Sequence, residues 1–406
     1  MASNFLSPEP SSITNILTLR YDPSITPNLP RKTWNNFKPL TEKPSAEFIE
    51  KSITNTIRKQ LDILSVKKIC IALSGGIDST LILALMKKTL PDMQVDAVSI
   101  KFANSIDETA PASKIAAKLG ADHHVIYVEN YLRELPKAIS IIKLPFWDLH
   151  WYYVVKKSQS LSKHLASGDG GDELFGGYTF RYKKFLSLIN TNFTPLEKVR
   201  AYLSCHERDQ VPDQEKLFGK RAKFSWESIN KPLIVHFDNT LSPLEQVFLA
   251  DYNGKLLYNF NPINSRIIDY FEMNLLTPLL NNELISSASH IPSSVKYDQQ
   301  TNVGKLPLRT LLEKYGASSL VGKEKLGFNV NTLDLWKENG HDLCKYFFDK
   351  SRLIEYGLIN KEWITKYIDS PELDVKYVNK FLGLLACEIW YRLFITNDMS
   401  SNDTLD

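Results

Sequence analysis

Two glycine-rich turns hold most of the residues in this sequence whose types and spacing can do chemistry. The first, Ser74-Gly75-Gly76-Ile77-Asp78-Ser79, stands where the apolar run KKICIALS (67–74) gives way to STLILALMKKTL (79–90). Glycine lets backbone N–H groups converge on an anion, and the start of a following helix adds partial positive charge. The turn has neither the Lys-Ser/Thr ending of a Walker A loop nor the three-glycine spacing of a dinucleotide fingerprint. Asp78 would repel a phosphate unless a divalent cation lay between them, and Mg²⁺ takes carboxylate and phosphate oxygens. Ser79 is placed to cap the helix or to bond phosphate. The second turn, SGDGGDELFGGY (167–178), sets Asp169, Asp172 and Glu173 among Gly168, Gly170, Gly171, Gly176 and Gly177. A calcium loop would need oxygen ligands at regular alternate positions, and Leu174 and Phe175 interrupt that spacing.

Elements of a particular kind must position these turns. KKICIALS, VDAVSIKF (95–102) and HHVIYV (123–128) read as short buried strands, and STLILALMKKTL and DETAPASKIAAKLG (107–120) as helices between them. Asp107 falls near the cap of the second helix, Pro111 in its first turn and Gly120 at its end. KHLASGDGGDELFGG (163–177) repeats the form of a strand running into a glycine-rich turn. The alternation predicts an α/β fold with a parallel sheet flanked by helices, and a ligand beyond the carboxyl ends of its strands. Residues 1–45 carry seven prolines and read as an extended arm, with one short strand at ILTLRY. The main unit is expected over 46–395, as an α/β core (46–185) and a mostly helical part (186–395), followed by a polar tail (396–406).

Bulk properties narrow the class. The 406 residues suffice for a large core, and 43% hydrophobic with 23% charged residues is the balance of a water-soluble globular chain. Lys and Arg number 49 against 46 Asp and Glu, a net charge of +3, which gives no argument for nucleic acid or an anionic membrane. FLGLLACEIWYRLFI (381–395) is too short to span a bilayer and contains Glu388 and Arg392, so it reads as a buried helix. The four cysteines, Cys70, Cys205, Cys344 and Cys387, have neither metal nor disulfide spacing. With no signal pattern at MASNFLSPEP, these features predict a cytoplasmic enzyme.

SGGIDS resembles the pyrophosphate loop of the N-type ATP pyrophosphatases, a group that includes asparagine, NAD, GMP and argininosuccinate synthetases. SGDGGDELFGGY resembles the S-G-[ED]-G-[SG]-D-E-x-F-G-G-Y signature of the asparagine synthetase domain. FANSIDETAPASKIAAKLGADHH (102–124), GKLPLR (304–309) and KEKLGF (323–328) are similar to its further motifs. The resemblance covers about residues 46–395 and implies an adenine nucleotide α-hydrolase-like fold that uses ATP and Mg²⁺. It implies that Leu73 and Ile100 flank adenine, that Ser74, Gly75, Gly76 and Ser79 hold pyrophosphate, and that Ser167 and Gly168 contact the nucleotide. It further implies Asp78 and Asp172 as Mg²⁺ ligands and Lys325 at the reacting phosphate. Lys305 and Arg309, four apart, would share a helix face and add to a positive wall. The implied reaction is ATP-dependent amide formation: a carboxylate is adenylated with release of pyrophosphate, and ammonia or an amine then displaces AMP.

Two departures bear on substrates. Glutamine-dependent relatives begin with a catalytic cysteine after the initiator methionine, whereas this sequence begins Met-Ala-Ser-Asn and has about 65 residues before its first strand. The expected nitrogen source is therefore free ammonia, a separate glutaminase subunit, or an amine on another substrate. The family's E-x-R-x-P-F-L-D segment aligns with FEMNLLTPLLNN (271–282) and, without gaps, puts Asn274 at the glutamate and Leu276 at the arginine. Glu272 serves only if the loop carries two extra residues. The alternatives are amide closure by an amine, as in β-lactam synthetases and lasso cyclases, and a non-catalytic nucleotide-binding partner of a glutaminase. The HH pair (123–124) and LPFWDLHWYY (144–153) are candidates for shaping a different acceptor pocket.

Overall fold

The computed structural model of the protein describes residues 10–40, 44–63, 66–102, 107, 109–322 and 330–406. Among these residues, five parallel strands form the sheet: β1 (Lys68–Ala72), β2 (Gln94–Phe102), β3 (Asp122–Val128), β4 (His164–Ala166) and β5 (Asn274–Leu276). Their spatial order is β3-β2-β1-β4-β5. The chain thus builds outward from β1 in one direction, then returns to its other side with β4. The switch point between β1 and β4 is where open α/β sheets leave a crevice for ligands. Both glycine-rich turns emerge there, one from each strand.

Alternation along the strands explains the continuous apolar runs. Ile69, Ile71 and Leu73 enter one core, with helices Ala46–Ile63, Ile77–Thr89, Thr109–Leu119 and Leu306–Lys314 on that side. Cys70, Ala72, Val98 and Ile100 enter a second core under His150–Gln159, Asn261–Tyr270 and Val375–Tyr391. A central strand covered on both faces has no polar side to show. The α/β class, the three early strands and the two intervening helices agree with the sequence reading. The Asp107 cap is present too: its Oδ1 accepts the Thr109 N–H at 3.0 Å. Helix Val375–Tyr391 is the expected buried helix. Its Glu388, 0% exposed, accepts from Ser351 Oγ at 2.7 Å and Arg392 Nε at 2.8 Å.

The N-terminal reading needs correction. Pro10–Leu19 is a helix, and ILTLRY forms its end rather than a strand. Ile13, Ile16 and Leu17 are buried at helical spacing against the second core, so tertiary burial overrides the local β-like composition. Beyond it, Asn253 accepts the Lys32 N–H at 3.0 Å and donates to the Lys32 carbonyl at 2.7 Å, which fixes the segment to the body.

One buried polar cluster braces the second turn from behind. The Arg181 guanidinium lies 3.7 Å above the Tyr178 ring and donates to Asp251 Oδ1 at 2.8 Å, where Tyr202 Oη also donates at 2.8 Å. Removing one partner of a buried pair leaves an uncompensated charge. Arg181→Met is therefore expected to lower unfolding free energy by about 3–5 kcal/mol. Urea denaturation measures this, and a loss below about 1 kcal/mol, the value of an exposed pair, would contradict the bracing role.

Candidate active site

The two turns interlock at the switch point because they are made of glycine where they meet. A Cβ on Gly171 would stand 2.3 Å from Asp78 Cγ, and one on Gly168 would stand 2.7 Å from Asp78 Cβ. Gly75 and Gly170 take φ of +73° and +92°, values that L side chains avoid. Helix Ile77–Thr89 begins at Gly76, which makes no side-chain cap, so the cap residue itself leaves the first backbone N–H donors open. Ser74 Oγ and Ser79 Oγ lie 3.5 Å apart across this opening. The local sequence thus makes an anion seat at a helix start.

Asp78 and Asp172 come from different turns and close on one cation position. That position is filled by the Lys305 ammonium, 2.5 Å from Asp78 Oδ2 and 2.7 Å from Asp172 Oδ1. A short antiparallel hairpin, β6 (Tyr297–Asp298) and β7 (Val303–Gly304), delivers the lysine. Gly304 lies where a Cβ would be 2.0 Å from the Gly176 carbonyl, and the Lys305 N–H donates to the Phe175 carbonyl at 3.0 Å. Lys305 adopts φ +58° and stands at the N-cap of Leu306–Lys314, not within the helix. Burial alone would lower its pKa, but Asp172 and Asp78 outweigh burial and hold it above the ordinary lysine value. Arg309, one turn on, donates through Nε to the Gly304 carbonyl at 3.0 Å.

The resulting cavity, about 400 Å³, is lined among the described residues by five carboxylates: Asp78, Asp148, Asp169, Asp172 and Glu173. Among the described lining residues, Lys305 and Arg309 are the permanent cations. Glu173 is tied down by Tyr178 Oη at 2.5 Å, and Asp169 Oδ2 by Asn264 Nδ2 at 2.8 Å. Burial pushes the Asp169 carboxyl above its usual range.

Of the residues expected from the sequence, Ser74, Gly76, Asp78, Ser79, Ser167, Gly168, Asp172, Lys305 and Arg309 line the cavity together. Gly75 shapes the turn without lining it. Leu73 and Ile100 are not lining residues: they are 0% and 4% exposed and sit in the two cores on opposite sheet faces. Lys325 lies outside the described residues.

Glu272 requires correction as a catalytic candidate. It precedes β5 with φ +51°, and Asn274 at the start of β5 lies beside His164. Both stand at the amino end of the parallel strands, opposite the turns, and neither lines the cavity. A second correction concerns the histidine pair. His123 bonds Ser99 Oγ and His124 bonds Asp96, each at 2.9 Å, on the edge strand β3 and away from the cavity. From the aromatic run, Asp148, His150 and Trp151 do reach the cavity. Leu256, Phe260, Ile263 and Asn264 also line it and carry no sequence motif.

The residues fit a divalent cation held with a polyphosphate. Among the described residues no group of three or more His, Cys, Asp or Glu converges as a metal cage. Two carboxylates facing one cation position suit Mg²⁺, which usually keeps water and substrate phosphate in its shell.

Fold and site together define a parallel α/β protein with an anion seat and a paired-carboxylate cation position at its switch point. The asparagine synthase family model matches residues 49–392, and the chain belongs to that family. Glutamine-hydrolyzing asparagine synthetase 1 of Bacillus subtilis (strain 168) is 26% identical over 438 residues, covering 96% of this chain and 67% of the relative. A putative glutamine-hydrolyzing asparagine synthetase of Mycobacterium tuberculosis (strain ATCC 25618 / H37Rv) is also 26% identical, over 64% of this chain and 44% of its own length. Among solved structures, an NH3-dependent NAD synthetase from Campylobacter jejuni subsp. jejuni matches at 15% identity, covering 49% of this chain and 98% of its own. Its TM-score of 0.27 is too low to bear on function.

Proposed function

We propose that this chain is an ATP-dependent carbon–nitrogen ligase that adenylates a carboxylate and passes the acyl group to ammonia or an amine. A substrate carboxylate oxygen bonds to the α-phosphorus of ATP, the bond to the β-phosphoryl oxygen breaks, and pyrophosphate leaves. The nitrogen nucleophile then bonds to the acyl carbon, loses a proton, and AMP departs. The observation that carries this reading is the convergence of Asp78 and Asp172, from separate turns, on one cation position beside an open helix start. Asp78 and Asp172 would hold Mg²⁺, which neutralises charge on the departing pyrophosphate. Gly76, Ser74 and Ser79 offer N–H and hydroxyl donors to its oxygens. With Mg²⁺ between the carboxylates, the Lys305 ammonium would turn from them toward the phosphates, where it and Arg309 would add positive charge as phosphate charge grows. The expectation for Lys325 is the same, at the reacting phosphate. Pyrophosphate release from Mg-ATP, dependent on an added carboxylate, tests the reading. Tight ATP binding with no pyrophosphate from any carboxylate would instead favour a nucleotide-binding partner without catalysis.

The cysteines bear on the nitrogen source. All four are buried, and burial pushes the thiols up, Cys205 to about 11 and Cys70 and Cys387 to about 12. A thiol nucleophile needs access and a thiolate. With glutamine as the sole nitrogen source, this purified chain is expected to form no glutamate. Ammonium or an amine should support turnover. Glutamate appearing from glutamine in an amino-acid assay would contradict this.

A further inference from the structure

The cavity has a second corner, chemically unlike the phosphate corner. Its wall is the helical stretch from Tyr252 onward, in which Leu256, Phe260 and Ile263 recur at spacings of four and three and face the cavity. That stretch runs as a π-type turn over Tyr252–Phe260, with a kink at Gly254 (φ −103°, ψ −107°). Such bulges in helices frequently mark functional sites. Trp151 joins the wall from His150–Gln159. Leu256, Ile263 and Trp151 are nearly covered, but Phe260 remains 37% exposed. The Asn264–Asp169 hydrogen bond ties this wall to the second turn, on the β4 side of the switch point.

Charge sets the corner apart as firmly as its apolar face. Asp148 is held by Arg20, Oδ2 to Nη2 at 2.6 Å, while its Oδ1 is buried without a hydrogen-bond partner among the described residues. Asp169 is the corner's other carboxylate. Burial lowers the His150 pKa below its ordinary value, with Asp148 opposing. Among the described lining residues the permanent cations, Lys305 and Arg309, stand at the phosphate corner. A second carboxylate on a substrate would enter this corner against Asp148 and Asp169, where the described cation, Arg20, is already paired with Asp148 and Asp209 and does not line the cavity. An aromatic or branched aliphatic body would cover Phe260.

We propose that this corner receives the acyl substrate and selects a monocarboxylate with an apolar body over a dicarboxylate such as aspartate. Phe260 is the specificity-determining residue. The inference rests on the ligase reading for the identity of the occupant as an acyl substrate. The corner's preference can be measured without turnover.

The test compares 3-phenylpropionate with succinate, for binding in the presence of Mg²⁺ and α,β-methylene-ATP, which cannot release pyrophosphate, and for turnover with Mg-ATP. Binding is followed by ligand-observed NMR, and pyrophosphate release is assayed separately with ammonium present. The expected result is a Kd for 3-phenylpropionate at least tenfold below that for succinate. Phe260→Ala should weaken 3-phenylpropionate at least fivefold and leave the ATP Kd unchanged. Succinate binding as well as or better than 3-phenylpropionate, or no binding of 3-phenylpropionate, overturns the proposal. So does a Phe260→Ala variant that loses ATP affinity instead, since that would assign the corner to the nucleotide. Selective 3-phenylpropionate binding without pyrophosphate release from any carboxylate would leave the corner's preference standing and remove the ligase reading.

Discussion

Asp78→Asn and Asp172→Asn are each expected to lower carboxylate-dependent pyrophosphate release about a thousandfold, close to 4 kcal/mol of barrier. The reason is geometric. The carboxylates come from turns separated by almost a hundred residues, yet both lie within 2.7 Å of one cation position. An amide keeps the shape and removes the charge that would hold a metal against phosphate. Folding should change little. Lys305 keeps one aspartate partner in either variant, and the side-chain volume is conserved. Thermal unfolding within a few degrees of wild type, together with the kinetic loss, is the expected pattern. Wild-type turnover in either variant would show that the two carboxylates do not share a catalytic cation.

The second large effect is expected at Lys305, and here activity and stability should both fall. Lys305 is 7% exposed and pairs with two carboxylates at once. Lys305→Met leaves Asp78 and Asp172 facing each other, a like-charge pair in a partly dry site. Breaking such a buried arrangement costs about 3–5 kcal/mol. Mg²⁺ then becomes the natural replacement, since it fits the position the ammonium has left. The Tm of Lys305→Met should rise on adding millimolar MgCl2, and by more than wild type rises. Differential scanning calorimetry with and without MgCl2 measures this. A variant as stable as wild type in EDTA, or one insensitive to Mg²⁺, would contradict the shared-cation geometry. Turnover should fall at least a hundredfold, because a positive charge beside the departing phosphates is gone.

The contrast between these residues shows what the sequence could express. Asp78 and the glycines around it were legible because a strand, a turn and a helix start follow one another within ten residues. The same holds for the second turn. Lys305 was legible as a cation of the right motif, but not as the ammonium between those aspartates, since 227 residues separate it from Asp78. Strand β5 has three residues, too short to show period-two alternation. Its direction decided that Glu272 and Asn274 fall at the wrong edge of the sheet. The Leu256–Phe260–Ile263 wall was illegible for another reason. Apolar residues at helical spacing look the same whether they face a core or a cavity. The N-terminal helix was missed because its apolar face is defined by the helices it packs against, not by caps or charge.

The central claim is that the paired-carboxylate site breaks ATP between its α- and β-phosphorus atoms. The direct measurement is the product pair formed from Mg-ATP by the purified chain with ammonium and a panel of carboxylates, resolved by ³¹P NMR. The account predicts AMP and pyrophosphate in equal amounts, dependent on the carboxylate and abolished in Asp78→Asn. ADP and inorganic phosphate as the products would contradict it.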